Sequence, residues 1–388
     1  MEFQLHIYGP LEQKGDATVI DINPDVTQIR WSSARPGGYT TLEVGLEPDG
    51  SLAGMWLPKP IDIRGFHHVE VYAGRQLCWM GQITQPKRVR GQYVAFTAKG
   101  YGISLTGDDF QTGSNNTVLT TGGQLLAQAI GALAPNLRVQ QLVDTGAAHY
   151  QVDTYEMTVA DIVNLLVREG GNGSVWDWLV FGQHVVGGYV PAAVFAPRQP
   201  PQQAQYHLAW NDITDWTEDF EQMYSAVAVD YTTPTTGGGS PVAGTRKLSV
   251  TTQTPSVLQQ YGRYRRKLIK GSTWVDGAAL QFQETYRVQY SVPAVAAQAQ
   301  FTDSDDLPGA GGEDRPKYLA NAGEWVAVGD WPSLLPIIQT TYDGFSGALT
   351  LVLNQYPAGM FQALADANAL SAAVVRATNP ITGSTTKP

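Results

Sequence analysis

Several groups of residues have the types that do chemistry. His67 and His68 stand side by side, and histidine is the commonest metal-ligating side chain. On a strand, however, adjacent side chains point to opposite faces. No third ligand and no H-E-x-x-H spacing lies nearby, so the pair is expected to be surface residues where a strand begins. Cys78 is the only cysteine. That precludes an intrachain disulfide and any thiolate-based metal site. A nucleophilic thiol needs a neighbour that holds the thiolate. Nothing near Cys78 supplies one, so it is expected to be a small buried or sheet-face residue.

The remaining candidates are weaker still. "GFSGA" (Gly344–Ala348) lacks the second glycine of a serine-hydrolase elbow, and a strand-like run follows where the elbow needs a helix; a hairpin turn is expected. No G-x-x-x-x-G-K-[ST] motif is present, and "GAGGED" fails G-x-G-x-x-G at its last position. "DSDD" (Asp303–Asp306) would suit Ca²⁺, but Leu307 breaks the EF-hand order. Asp215, Glu218, Asp219 and Glu221 invite a glycosidase reading, yet they crowd one short stretch beside a turn. "YGRYRRK" (Tyr261–Lys267) interleaves basic and aromatic residues as nucleic-acid contacts do; an acidic neighbouring subunit suits this basic island better. No catalytic, cofactor-binding or metal-ligating residue is assigned, no cofactor is implied, and the chain is read as a non-enzyme.

The bulk composition agrees. Over 388 residues the formal net charge is −10. An acidic surface repels nucleic-acid phosphates, which excludes specific nucleic-acid binding. Charged residues make up only 15% of the chain, while 41 glycines and 23 prolines mark many turns; this suits a β-rich protein with broad contact surfaces. The start "MEFQLHIYGP" shows no signal-peptide pattern. No apolar run approaches the length of a membrane span. A soluble chain made in the cytosol is expected.

The elements that would position these residues fall into four stretches. Residues 1–106 read as six or seven strands without a helix, forming a small barrel or sandwich. Within them, "HHVEVYAGRQLCWMGQIT" (His67–Thr84) alternates apolar and polar residues on either side of a short turn, so it is a hairpin. Its Leu77–Trp79–Ile83 face is expected to pack inward, and Gly81 to mark a bulge or a close backbone approach. "QYVAFTAKGYGISL" is read as strand.

Residues 107–206 read as an α/β unit. One helix carries Leu125, Leu126, Ala129, Ile130 and Leu133 on one face and stops at Pro135. A second is capped by Thr158 with Asp161, buries Val159, Ile162, Val163 and Leu166, and ends at Gly170–Gly171. "SVWDWLVF" and "YVPAAVFAP" are paired strands. Residues 207–356 return to strands, with one helix capped by Asp276, and residues 357–388 form a last helix and a mobile tail. "WVAVGDWPSLLPIIQTTYDG" weakly echoes the rhythm of the first hairpin, as related barrels would.

Taken in order, five phrases resemble the bacteriophage tail baseplate hub and tail-associated tip proteins. They are "GYTTLEVGL" with "HHVEVYAGRQLCWMGQI", "TVADIVNLLVREGG" with "VWDWLVF", "WTEDFEQMYSAVAVDYTTPTTG", "QQYGRYRRKLI" and "WVAVGDW". The resemblance spans nearly the whole chain. It implies a mainly β fold in which two small tube-type β-barrels (1–106 and 207–356) flank a lateral α/β domain (107–206), with a short C-terminal helix (357–388). It implies a structural protein of the virion tail tip, assembled in the bacterial host cytoplasm. As a homotrimer, its paired barrels would make a pseudo-sixfold ring that continues the tail tube around a DNA channel. The implied partners are two further copies of the chain, a tail tube or distal tail ring protein, and a central tip fibre or tape-measure protein. An acidic lumen would let DNA slide. Two other readings are a host-receptor or carbohydrate-binding β-protein, drawing on the many Trp and Tyr residues, and a hydrolase with dispersed carboxylates.

Overall fold

The structure is a computed structural model. It describes residues 3–10, 18–21, 26–47, 63–89, 92–104, 119–133, 137–143, 148–150, 162–163, 166–167, 176–198, 201–221, 223–233, 246–250, 259, 262, 265–273, 276–291, 293–302 and 306–354. The chain is mainly β. It opens with β1 (Phe3–Pro10), β2 (Thr18–Asp21), β3 (Val26–Ala34) and β4 (Gly37–Leu46), then β5 (His67–Ala73), β6 (Gln76–Val89) and β7 (Gln92–Lys99). Period-two alternation explains β1, where Phe3, Leu5 and Ile7 are buried.

The expected hairpin is β5–β6, closed by Gly74 and Arg75 with Ala73 opposite Gln76. Gly74 has φ +59°, a conformation that glycine adopts freely. The irregularity lies at Cys78. Val71 faces Trp79 while Tyr72 faces Leu77, so Cys78 is the extra residue of a bulge. Leu77 therefore turns to the face opposite Trp79, and the expected Leu77–Trp79–Ile83 face is split. Gly81 is instead a close approach: a Cβ there would stand 2.3 Å from the Lys99 carbonyl oxygen. The expected polar face is also covered, since Glu70 is buried along with Val69 and Val71. The strand read through "QYVAFTAKGYGISL" stops at Lys99. Tyr101–Ser104 form a single helical turn, α1, because Tyr101 drops into the core of the next segment.

That segment holds β8 (Leu119–Thr121), α2 (Gly122–Leu133), β9 (Arg138–Leu142), β10 (Ala148–Tyr150), β11 (Trp176–Val185) and β12 (Gly188–Pro197). The α2 face is present in Leu126, Ala129 and Ile130, all buried. Residues 162–163 and 166–167 are helical, with Ile162, Val163 and Leu166 buried. Their expected caps, like Pro135 and Val159, lie outside the described residues. These side chains share a core with Trp176, Trp178 and Phe195. β11 and β12 pair antiparallel, as expected.

The third segment runs through β13 (Tyr206–Leu208), β14 (Ile213–Asp219), β15 (Ala226–Thr232), β16 (Arg246–Val250) and β17 (Arg266–Thr273). The expected helix follows as α3 (Asp276–Gln289). After it come β18 (Ala294–Phe301), β19 (Asp306–Pro308), β20 (Asp314–Pro316), β21 (Trp325–Val328), β22 (Leu335–Asp343) and β23 (Leu349–Asn354). β21–β22 is antiparallel like β5–β6, in keeping with the weak sequence echo. α3 packs Ala279, Tyr286 and Tyr290 on Val227, Val229 and Tyr231 of β15, a small separate core. The helix and tail read at 357–388 lie outside the described residues.

One sheet of 16 strands joins the first and third segments. Its main path is β14–β18–β23–β22–β3–β4–β7–β6–β5–β1–β2. Two separate barrels would need β3 to close on the strands of its own segment. Instead β22 takes that edge, with Gln339 opposite Ala34 and Asp343 opposite Arg30. The described path is therefore open, and one core runs from Phe3 and Trp79 to Leu351 and Leu353. β11 docks in parallel on β4 at Leu179–Gly37 and Val180–Gly38.

Gly38 permits that docking. Its φ is +82°, and a Cβ would lie 2.2 Å from the Val180 carbonyl oxygen. Gly38→Ala is expected to cost roughly 3 kcal/mol or more in urea unfolding. Gly74→Ala, which meets nothing within 4 Å, should cost about 1 kcal/mol from its positive φ alone. Equal losses would refute the docking role of Gly38.

Candidate functional site

The candidates read from sequence are dispersed. His67 opens β5 half-buried, whereas His68 is fully buried, which corrects its expected surface position. Cys78 is buried, and burial pushes its thiol up to about 12. "GFSGA" is the β22–β23 turn: the Phe345 and Ser346 amides both donate to Asp343 Oδ1 at 3.0 Å. Asp306 begins β19, and residues 303–305 lie outside the described residues. Among the described residues, no three His, Cys, Asp or Glu side chains group as a metal site. Nor is any described helix long and apolar enough to cross a membrane.

His68 belongs to a buried polar network that its sequence neighbours do not announce. Its Nε2 lies 2.9 Å from Glu70 Oε1, and its Nδ1 lies 2.6 Å from the Tyr101 hydroxyl. Tyr72 donates its hydroxyl to Glu70 Oε2 at 2.8 Å. Tyr8 of β1 joins from the side; burial, then the Glu70 charge, raise its hydroxyl above the usual range. A carboxylate only accepts hydrogen bonds, so the His68 nitrogen facing it carries the proton. The His–Glu pair has the look of a general-base dyad. However, both side chains are sealed from solvent, and the hydroxyl on His68 is itself buried. The network ties β5 to β1 and α1.

A second buried cluster ties all three segments together. Arg35, at the β3–β4 turn, sits with its Nη1 3.4 Å from Asp177 Oδ2 on β11, an ion-pair distance. Its Nη2 donates to the Gly323 carbonyl, and its guanidinium lies 5.6 Å from the Trp325 ring centroid. Burial lowers Arg35 to about 10, partly offset by the Asp177 charge, so it stays cationic at neutral pH. Arg198 completes the group, donating from Nε and Nη2 to Asp177 Oδ1 at 2.9 and 2.6 Å. Next to it, Glu324 accepts from the Tyr206 hydroxyl at 2.9 Å and from the Asn321 amide at 2.8 Å. Burial nevertheless raises the Glu324 carboxyl. Sequence reading took "ARPGG" for a turn and passed over its arginine. The signal was the unusual neighbourhood: an arginine beside two glycines that leave room for another backbone.

The outer rim of the sheet carries the other notable group. β14 ends the strand path and bears Asp215, Glu218 and Asp219, with Glu221 just beyond it. At its start three tryptophans meet edge to face: Trp210–Trp216 at 4.8 Å and Trp216–Trp331 at 5.0 Å between centroids. Trp210 Nε1 donates to Asp330 Oδ1 at 2.8 Å and Trp216 Nε1 to Glu218 Oε1 at 3.1 Å. In the basic stretch, the Arg265 guanidinium and the Lys267 ammonium lie over the Tyr224 ring, and Arg266 is exposed.

Three solved structures share this fold. The 43 kDa tail protein of prophage MuSo2 from Shewanella oneidensis aligns with TM-score 0.56 and 14% identity over 92% of this chain and 99% of its own. The prophage tail protein gp18 from Listeria monocytogenes EGD-e aligns with TM-score 0.57 and 11% identity, over 94% and 98%. The tail protein from Neisseria meningitidis MC58 aligns with TM-score 0.52 and 12% identity, over 91% and 96%. No protein-family model and no curated protein matches the chain by sequence. The likeness to phage tail proteins that the five sequence phrases carry is thus present in the fold.

Two outcomes follow from the buried groups. Asp177→Ala strands two arginines, one of them almost wholly buried, and is expected to cost about 3–5 kcal/mol in chemical unfolding; a loss under about 1 kcal/mol would contradict the tie. Cys78, with its thiol protonated far above neutral pH, should resist iodoacetamide at pH 8 in the native protein and react on unfolding. Rapid labelling of the native protein would show an accessible thiol.

Proposed function

We propose that this protein is a structural component of a bacteriophage tail, three copies of which form a pseudo-sixfold ring at the tail tip or baseplate. The ring continues the tail tube and surrounds the channel through which DNA leaves. One observation carries the reading: over nine-tenths of the chain, and nearly the full length of each counterpart, the fold is that of three phage tail proteins.

In this reading residues 1–106 and 207–356 supply two barrel-like walls, joined edge to edge where β22 meets β3. Residues 107–206 stand to the side, anchored through Arg35 and Gly38. Residues 357–388 reach toward a neighbour. Ring neighbours are a tail tube or distal tail ring protein above and a central tip fibre or tape-measure protein below. The net charge of −10 disfavours tight hold on DNA in transit, because phosphates are repelled rather than neutralised. The protein acts by shape and contact, without turnover, in the virion after assembly in the host cytoplasm.

Mass by light scattering and symmetry by negative-stain imaging test this. A ring of three chains with a central hole is the expected result. A compact monomer at every concentration, binding a glycan with defined stoichiometry, would overturn it in favour of a receptor-binding protein.

A further inference from the structure

β14 and β17 are both terminal strands among the described residues. β14 pairs only with β18, and β17 only with β15. Their charges are opposite. Along and just past β14 stand Asp215, Glu218, Asp219 and Glu221, none of which forms an ion pair among the described residues. β17 and the residue before it supply Arg265, Arg266 and Lys267; Arg266 is exposed, and so is Leu268 beside it.

Charged side chains on a terminal strand ordinarily keep strands from pairing with strangers. The tryptophans beside β14 point the other way. Trp210 is 42% exposed, and Trp216 and Trp331 are only partly covered. Indole is the side chain most enriched at the centre of protein contacts. Trp210 and Trp216 are already held by carboxylates of their own chain, so burying them loses little side-chain freedom.

We infer that the acidic, tryptophan-bearing edge of β14 docks against the basic β17 edge of a second copy of this chain. The inference rests on the ring reading: one repeated contact closes a ring of three only if its two halves are different surfaces. β14 against β14 would set four carboxylates against four. β14 against β17 sets acid against base, and this fixes the direction in which copies follow one another.

Charge reversal tests it on the full-length protein. Asp215→Lys with Glu221→Lys, and separately Arg266→Glu, should each raise the concentration for half-assembly by about tenfold or more. The chain carrying all three changes should assemble again. Each variant's thermal unfolding should match the original, since these side chains are on the surface. Rings that persist unchanged in both single-edge variants, or a combined variant that stays dispersed, would overturn the inference and leave the ring reading standing. An original chain that never forms rings would sink the ring reading, and this inference with it.

Discussion

The contact between Arg35 and Asp177 is what the arrangement of the segments hangs on. Arg35 belongs to the β3–β4 turn, Asp177 to β11, and the Gly323 carbonyl and Trp325 ring to the last segment. A guanidinium presents a flat fork with donors on several sides and keeps its charge when buried. One side chain therefore meets an anion, a carbonyl and an aromatic face at once. A lysine has the charge without the fork. Desolvation makes such a cluster costly, and Arg198 and the neighbouring carboxylate of Glu324 help offset it. A buried ion pair adds little net stability, but removing one partner is expensive. The cluster thus acts chiefly to allow one arrangement of the three segments and disfavour others.

Around that point the backbone does the rest. Gly37 and Gly38 let β11 pair with β4, which places the β11–β12 hairpin over the side of β4 and β6 that would otherwise face water. Tyr39 meets Phe181 at 4.9 Å and Tyr72 meets Tyr189 at 6.0 Å between centroids. This is why β5 and β6 are buried on both faces. It is also why Glu70 and His68 must satisfy each other and the surrounding tyrosines, since a buried polar group without a partner is costly. The pairing of β22 with β3 has the same character. It spends a free edge of the first segment on a strand some three hundred residues later and merges two cores into one. A wall built this way is continuous and resists hinging between its halves, which suits a part that must hold its shape under the load of an assembly.

Much was legible in the sequence. Alternation in Phe3–Ile7 and in His67–Ala73, the Gly-containing turn, the Leu126–Ala129–Ile130 helix face, the Asp276 helix start and the β11–β12 pair follow from local periodicity and turn chemistry, which depend on near neighbours. The likeness to tail proteins was readable for a related reason: it lies in the order of such local units. Three things were decided only by tertiary structure. Whether the polar face of β5 meets water depends on β11 and β12, more than one hundred residues away. The shift of Leu77 away from Trp79 depends on a bulge at Cys78, which strand pairing creates and alternation does not show. The partner of the β3 edge depends on β22 rather than on the adjacent strands. Local spacing records which face of an element is apolar; what covers that face, and which strand completes its hydrogen bonds, is settled by long-range packing.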